Sequence, residues 1–134
     1  MSKEINVKGV YLLLINMEKT STIKIGSLGL IKFEKGNYAY VGSAQNGVDS
    51  RIMRHLSKNK KKFWHIDYLL TNKSAKVTSI FYRKGSKSEE CILANKVSLA
   101  GMPIERFGSS DCKCDAHLFR IINLEKMRRE VERQ

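Results

Sequence analysis

The longest apolar run in the chain is Val10 to Ile15 (VYLLLI), opened by Gly9. At six residues it is far too short to cross a bilayer. Its aromatic and β-branched content reads instead as a buried strand. Whatever this chain folds into must supply partners for that strand.

The sequence offers several. Ser21 to Ile25 reads as a second strand, Gly26-Ser27-Leu28-Gly29 as a turn, and Leu30 to Glu34 as an alternating return, so a hairpin is expected. Gly36-Asn37 marks another turn. Asn37 to Gly42 (NYAYVG) then reads as a strand with Tyr38 and Tyr40 on one face and Ala39 and Val41 on the other. A helix is expected from Val48 or Asp49, with Val48, Ile52 and Leu56 as its apolar stripe and Arg51 and His55 sharing a different face. A second helix is expected over 63–70 and a strand over 77–82. Ser86-x-x-Glu89 has the pattern of a capping box, which opens a helix over 87–99. Pro103 follows its end, 105–116 reads as a loop, 117–122 as a last strand, and 123–132 as a charged terminal helix. The 134 residues suit one α/β (α+β) domain spanning 1–134.

Charge is the unusual property. Lys and Arg number 25 against 13 Asp and Glu, a net of +12. Such a field attracts polyanions, so nucleic acid is the expected partner. An anionic membrane is not expected, because no basic stretch carries a strong apolar face and no lipidation signal appears. The net positive charge is greater in the first half, +8 over 1–62 against +4 over 63–134, with a local peak at Lys58, Lys60, Lys61 and Lys62. Cys91, Cys112 and Cys114 make an odd count, which argues against a disulfide framework and for a reducing cytoplasm. The N-terminal residues show no signal-peptide core. The sequence sets no oligomeric state.

Phosphodiester hydrolysis needs a base for water, a cation for the phosphate, and a metal for the leaving oxygen. Tyr11 and Tyr40 on two strands, Arg51 and His55 on the helix after the second strand, and Glu90 in the first turn of a later helix offer those groups. These residues resemble the GIY-YIG nuclease superfamily. Gly9-Val10-Tyr11 and Tyr40-Val41-Gly42 are similar to its paired signatures, Arg51 stands where it carries a helix arginine, and His55 where members carry Tyr or His. Trp64-His65-Ile66-Asp67-Tyr68-Leu69, Glu90-Cys91-Ile92-Leu93-Ala94 and Phe107-Gly108-Ser109-Ser110-Asp111-Cys112 are similar to motifs of a compact prokaryotic branch that occurs alone or attached to base-excision repair enzymes.

The resemblance implies a small, mostly antiparallel sheet flanked by helices, with a hairpin inserted between the two signature strands. It implies a metal-dependent endonuclease acting on DNA rather than RNA. Tyr40 would be the general base, with His55 taking the proton onward. Arg51 would hold the phosphate, Tyr11 would orient phosphate or water, and Glu90 would bind one Mg²⁺ or Mn²⁺. Two features depart from the family pattern. Ser43 stands where many members have Lys, and 28 residues separate Tyr11 from Tyr40. Ser43, Arg54, Lys58, Lys60, Lys61 and Lys62 are the expected contacts to nucleic acid.

Plainer readings stand beside these. Tyr11 and Tyr40 can be core aromatics. Glu90 can complement a helix dipole without a metal. Lys58 to Lys62 can be a solvated loop. Trp64 reads as a core anchor rather than a stacking platform, and Asp67 as a lock on a loop. His65 and Asp67 point to different sides of a helix and make no metal pair. Cys112-x-Cys114-x-x-His117 lacks zinc spacing, so zinc is not the expected metal. Asp111 reads as a maker of loop hydrogen bonds. Two further function classes remain: a binding module that keeps the fold without the chemistry, and an RNA- or ribosome-associated structural protein.

Overall fold

In a computed structural model, residues 8–44, 47–108 and 116–132 are described. Seven strands and four α-helices follow one another as β1 (Gly9–Met17), β2 (Ser21–Lys24), β3 (Leu30–Phe33), β4 (Gly36–Ala44), α1 (Val48–Leu56), α2 (His65–Leu70), β5 (Ala75–Lys84), α3 (Ser88–Ser98), β6 (Gly101–Pro103), β7 (Leu118–Ile121) and α4 (Leu124–Glu132). The main sheet runs β5-β1-β4-β7-β6, and every pairing in it is antiparallel. The fold is a small α+β domain with helices on both faces of this sheet.

The apolar run Val10 to Ile15 lies within β1, between β4 and β5. Strand alternation divides its side chains between two cores. Tyr11, Leu13 and Ile15 join Tyr38, Tyr40, Phe33 and Phe107 under α1, α2 and the hairpin. Val10, Leu12 and Leu14 join Ala39, Val41, Leu93 and Val97 under α3 and α4. A strand covered on both faces has no solvent side, and so the run is continuous rather than alternating. The β2–β3 hairpin forms its own small sheet between the two signature strands, as expected.

Two local expectations change. The capping box at Ser86 and Glu89 does not form. The helix starts a residue later, Lys87 occupies the cap position in helical geometry, and the Ser86 hydroxyl lies 2.7 Å from that of Ser88. The α1 stripe is Val48, Ile52 and His55, with Leu56 46% exposed. Positions i, i+4 and i+7 share the face turned to the sheet, whereas Leu56 closes the helix at its rim. Pro103, past the end of α3 as expected, ends β6, an edge strand, where a missing N–H costs no ladder bond.

Candidate active site

The site begins with the register of β1 and β4. Tyr11 stands opposite Gly42, and Leu13 opposite Tyr40. Opposed residues share a face, so both phenols project toward α1. The Tyr11 ring lies over Gly42, where a Cβ would come within 2.5 Å of its hydroxyl. A Cβ at Gly9 would meet the Arg83 carbonyl oxygen at 2.6 Å and Val48 at 2.7 Å. The glycine of each tripeptide is thus a clearance. Gly42 makes room for the first phenol, and Gly9 lets β5 and α1 close over β1.

Helix α1 brings His55 onto the phenols. The Tyr11 hydroxyl and His55 Nε2 are 2.6 Å apart, in a buried contact. The Tyr40 ring stands edge-on to His55 at 6.0 Å and to Phe107 at 6.4 Å. Burial depresses the imidazole to about 3, with the Lys60 charge adding to the effect. Burial also raises the Tyr11 phenol far above its ordinary range, although the Arg51 charge and an Arg51 hydrogen bond oppose this. Tyr40 is raised for the same first reason, and the charges of Tyr11 and Glu90 add to it. The neutral imidazole and the phenol share one hydrogen bond through Nε2, and in the Nδ1–H tautomer Nε2 accepts from the Tyr11 hydroxyl. Its Nδ1 is buried and has no hydrogen-bond partner among the described residues. The resemblance implied that His55 serves Tyr40; the hydroxyl it actually engages is that of Tyr11.

Arg51 lies one turn before His55. Its Nη1 donates to the Ser43 carbonyl at 3.2 Å, and its guanidinium sits 4.4 Å from the Trp64 ring centre. Ser43 is two residues past Val41 and pairs with Val10, so its side chain points to the other face of β4. There its hydroxyl donates to Glu90 Oε2 at 2.5 Å. Glu90 Oε1 lies 2.7 Å from His117 Nδ1. Glu90 and His117 are both buried. Two clusters therefore flank the end of β4: Tyr11, Tyr40 and His55 on one side, Ser43, Glu90 and His117 on the other. Arg51 lies between them: it donates to the Ser43 carbonyl, and its charge acts on the Tyr11 phenol.

In the sequence His117 stands only in the Cys112-x-Cys114-x-x-His117 pattern, which lacks zinc spacing. Its pairing with Glu90 depends on the β4–β7 ladder, which continues past Leu118 through the bond from Val41 N to the His117 carbonyl at 2.9 Å. No local signal in the sequence announces it. Cys112, Cys114 and Asp111 lie outside the described residues. Cys91, beside Glu90, is disulfide-bonded. That corrects the expectation drawn from the odd count: three cysteines leave room for one bridge and one thiol, so parity carries nothing about compartment.

The basic cluster after α1 divides in two. Lys58 Nζ donates to the carbonyls of Leu70 and Ala75, at 2.5 and 2.8 Å. Lys60 Nζ donates to the carbonyls of Arg54 and His55, both at 3.0 Å, and its side chain is only 6% exposed. Arg54 forks onto Asp67 at 2.9 and 3.0 Å. These three cations, expected on phosphates, hold the protein's own loop. Each sits over carbonyl or carboxylate oxygens that burial would otherwise leave unpaired. Lys61 and Lys62 remain on the surface.

Asp67 anchors that loop, as expected. Its Oδ2 accepts the backbone N–H of Phe63 and Trp64, each at 2.8 Å. Burial pushes its carboxyl up, but Arg54 and these two N–H groups outweigh burial and hold it below the usual range. His65 turns elsewhere and accepts the Gly108 N–H at 3.0 Å, so the two do not form a metal pair. Among the described residues no three His, Cys, Asp or Glu side chains group as a metal cage. Glu90 is the residue that could hold one hard cation, which would keep most of its waters. Each carboxylate oxygen is oriented by one hydrogen bond and retains a second lone pair.

The chain matches, over residues 10–134, the family described as domain of unknown function DUF123. It belongs to that family. No curated protein and no solved structure matches it. The matched span of this DUF123 chain contains every candidate residue described above. Among its described residues no helix is long and apolar enough to cross a membrane.

Proposed function

We propose that this chain is a divalent-metal-dependent endonuclease that hydrolyses nucleic-acid phosphodiesters, DNA in preference to RNA, in repair or processing. The observation that carries the proposal is Arg51, one turn before His55, which donates to the backbone carbonyl of Ser43, the residue bonded to Glu90, while its charge acts on Tyr11 and His55. The antiparallel sheet, the inserted hairpin and the glycine clearances support the GIY-YIG resemblance.

In this reading Arg51 holds the scissile phosphate and opposes the charge that grows on it. Tyr11 and His55 act together toward water. The phenol oxygen takes a proton from the attacking water while the phenol passes its own to His55 Nε2. A relay suits the site, because neither a free phenolate nor an imidazolium is stable there at rest. Tyr40 packs against both groups and orients them, so the general-base role moves from Tyr40 to Tyr11. Glu90 would hold Mg²⁺ or Mn²⁺, which when bound supplies Lewis-acid stabilisation of the phosphate and its leaving oxygen. Lys61 and Lys62 contact the flanking backbone.

The test is incubation of the pure protein with branched, flapped and single-stranded DNA in Mg²⁺ or Mn²⁺. Cleavage is expected, and Arg51→Ala and Glu90→Gln should each abolish it with the circular dichroism of a folded protein. No cleavage of any substrate in either metal ends the proposal.

One observation favours a second reading. Ser43 and His117 occupy both Glu90 oxygens, and Ser43 stands in place of the family's lysine. A binding module without chemistry would use the net charge of +12 and ignore metal. It would show steeply salt-dependent, metal-indifferent affinity.

A further inference from the structure

We infer that Phe63 is a stacking subsite for an unpaired nucleobase beside the candidate active site. The inference rests on reading this surface as one that binds nucleic acid. Phe63 is 78% exposed, more than any other large apolar side chain among the described residues. An exposed aromatic on a floppy loop would say little. This one stands on a fixed base. Its own N–H and that of Trp64 bind the buried Asp67 carboxylate, each at 2.8 Å. Arg54 forks onto the same carboxylate and also donates to the Lys61 carbonyl at 3.0 Å. Lys60 closes the other end of the loop on the last carbonyls of α1.

The ring next to it is already occupied. Trp64 carries the guanidinium of Arg54 at 4.2 Å and that of Arg51 at 4.4 Å. It meets Phe63 edge-on, with centroids 5.6 Å apart and planes at 89°. Phe63 thus presents an open ring, supported from the side, one residue away from a ring that cradles Arg51. Exposed Lys61 and Lys62 precede it directly. A flat apolar face among cations selects a ligand that is planar, aromatic and attached to anions, which describes a nucleotide base on its backbone. Because the loop is pre-ordered, little conformational freedom is lost on binding. Bases inside a duplex have both faces stacked, so only an unpaired base can use the ring. The subsite therefore directs the protein to single-stranded or flapped substrates.

The test is binding in EDTA, which separates recognition from cleavage. The probes are a short single-stranded oligonucleotide carrying one 2-aminopurine and a blunt duplex of equal length. Phe63→Ala should weaken single-strand binding between about fivefold and a hundredfold, the range of one base–aromatic stack. It should abolish the 2-aminopurine quench and change duplex affinity less than about twofold, within the error of an unaltered electrostatic contact. Phe63→Trp should restore both signals, and Phe63→Leu neither. Equal losses on the two probes, or none, overturn the inference. So does Phe63-dependent binding to phosphatidylserine vesicles without a 2-aminopurine quench. A wild type that stacks the base but never cuts defeats the nuclease reading and leaves this one standing. A wild type that cuts while Phe63→Ala binds normally defeats this one alone. A wild type that binds neither probe defeats both.

Discussion

Acidification should unfold this protein through His55. The imidazole ionises near 6.5 in an unfolded chain and is depressed to about 3 by burial in the folded one. Between those values the unfolded chain binds a proton that the native state refuses. Stability is therefore complete above about pH 6.5 and falls as pH drops, by about 1.4 kcal/mol per pH unit. From pH 7 to pH 4.5 the loss from His55 alone is about 2.5 kcal/mol. Asp67 does not confuse this window. Its depressed carboxyl contributes stability that is present above its ordinary value of 3.8 and lost only as pH falls further. His65 is also depressed by burial and acts in the same direction as His55. The comparison with His55→Gln removes its share, because both proteins keep His65. Gln can still accept the Tyr11 hydroxyl but cannot titrate. Urea unfolding at pH 7, 6, 5 and 4.5 should give a wild-type slope steeper than the variant's by about 1 kcal/mol per unit on average. Parallel curves would refute the reasoning, since they would mean that the folded imidazole protonates as easily as the free one.

Three other outcomes follow from the geometry. If Tyr11 and His55 form the proton relay, Tyr11→Phe should slow cleavage by about a hundredfold or more, whereas Tyr40→Phe, by losing only an orienting group, should slow it less than about tenfold; single-turnover rates that reverse this order would return the base to Tyr40. Gly42→Ala should destabilise by about 2 kcal/mol in urea, because its methyl would sit 2.5 Å from the Tyr11 hydroxyl. The two kinds of lysine should separate cleanly. Lys60→Met should cost about 2 kcal/mol of stability by stripping the α1 carbonyls of their donor, while Lys61→Met should leave stability within about 0.5 kcal/mol and lower the salt slope of DNA binding by about one ion.

Much of the fold could be read from the chain, because it follows from short-range rules. The continuous run at β1, the alternation of Tyr38 and Tyr40 with Ala39 and Val41, and the hairpin around Gly26 to Gly29 each depend on a period of two or on turn chemistry. Those signals survive without knowledge of the neighbours. Features that depend on what lies opposite are not legible in this way. Ser86 and Glu89 have capping-box spacing, yet the helix begins one residue later. Leu56 is spaced to continue an apolar stripe, yet His55 is the side chain that meets the sheet.

The candidate site divides along the same line. By itself the sequence determined which reactive side chains exist, that they are carried on strands and helix turns, and that the whole is strongly cationic. Only the tertiary structure decided that His55 meets Tyr11 rather than Tyr40, that Glu90 pairs with Ser43 and His117 across β4, and that Lys58, Lys60 and Arg54 turn inward while Lys61 and Lys62 stay outside. The reason is physical. Periodicity assigns a residue to a face, but the partner on that face comes from strand register and helix placement between residues far apart in the chain, 47 apart in the Ser43–Glu90 bond. No local pattern encodes such a distance; the packing of the two cores around β1 does.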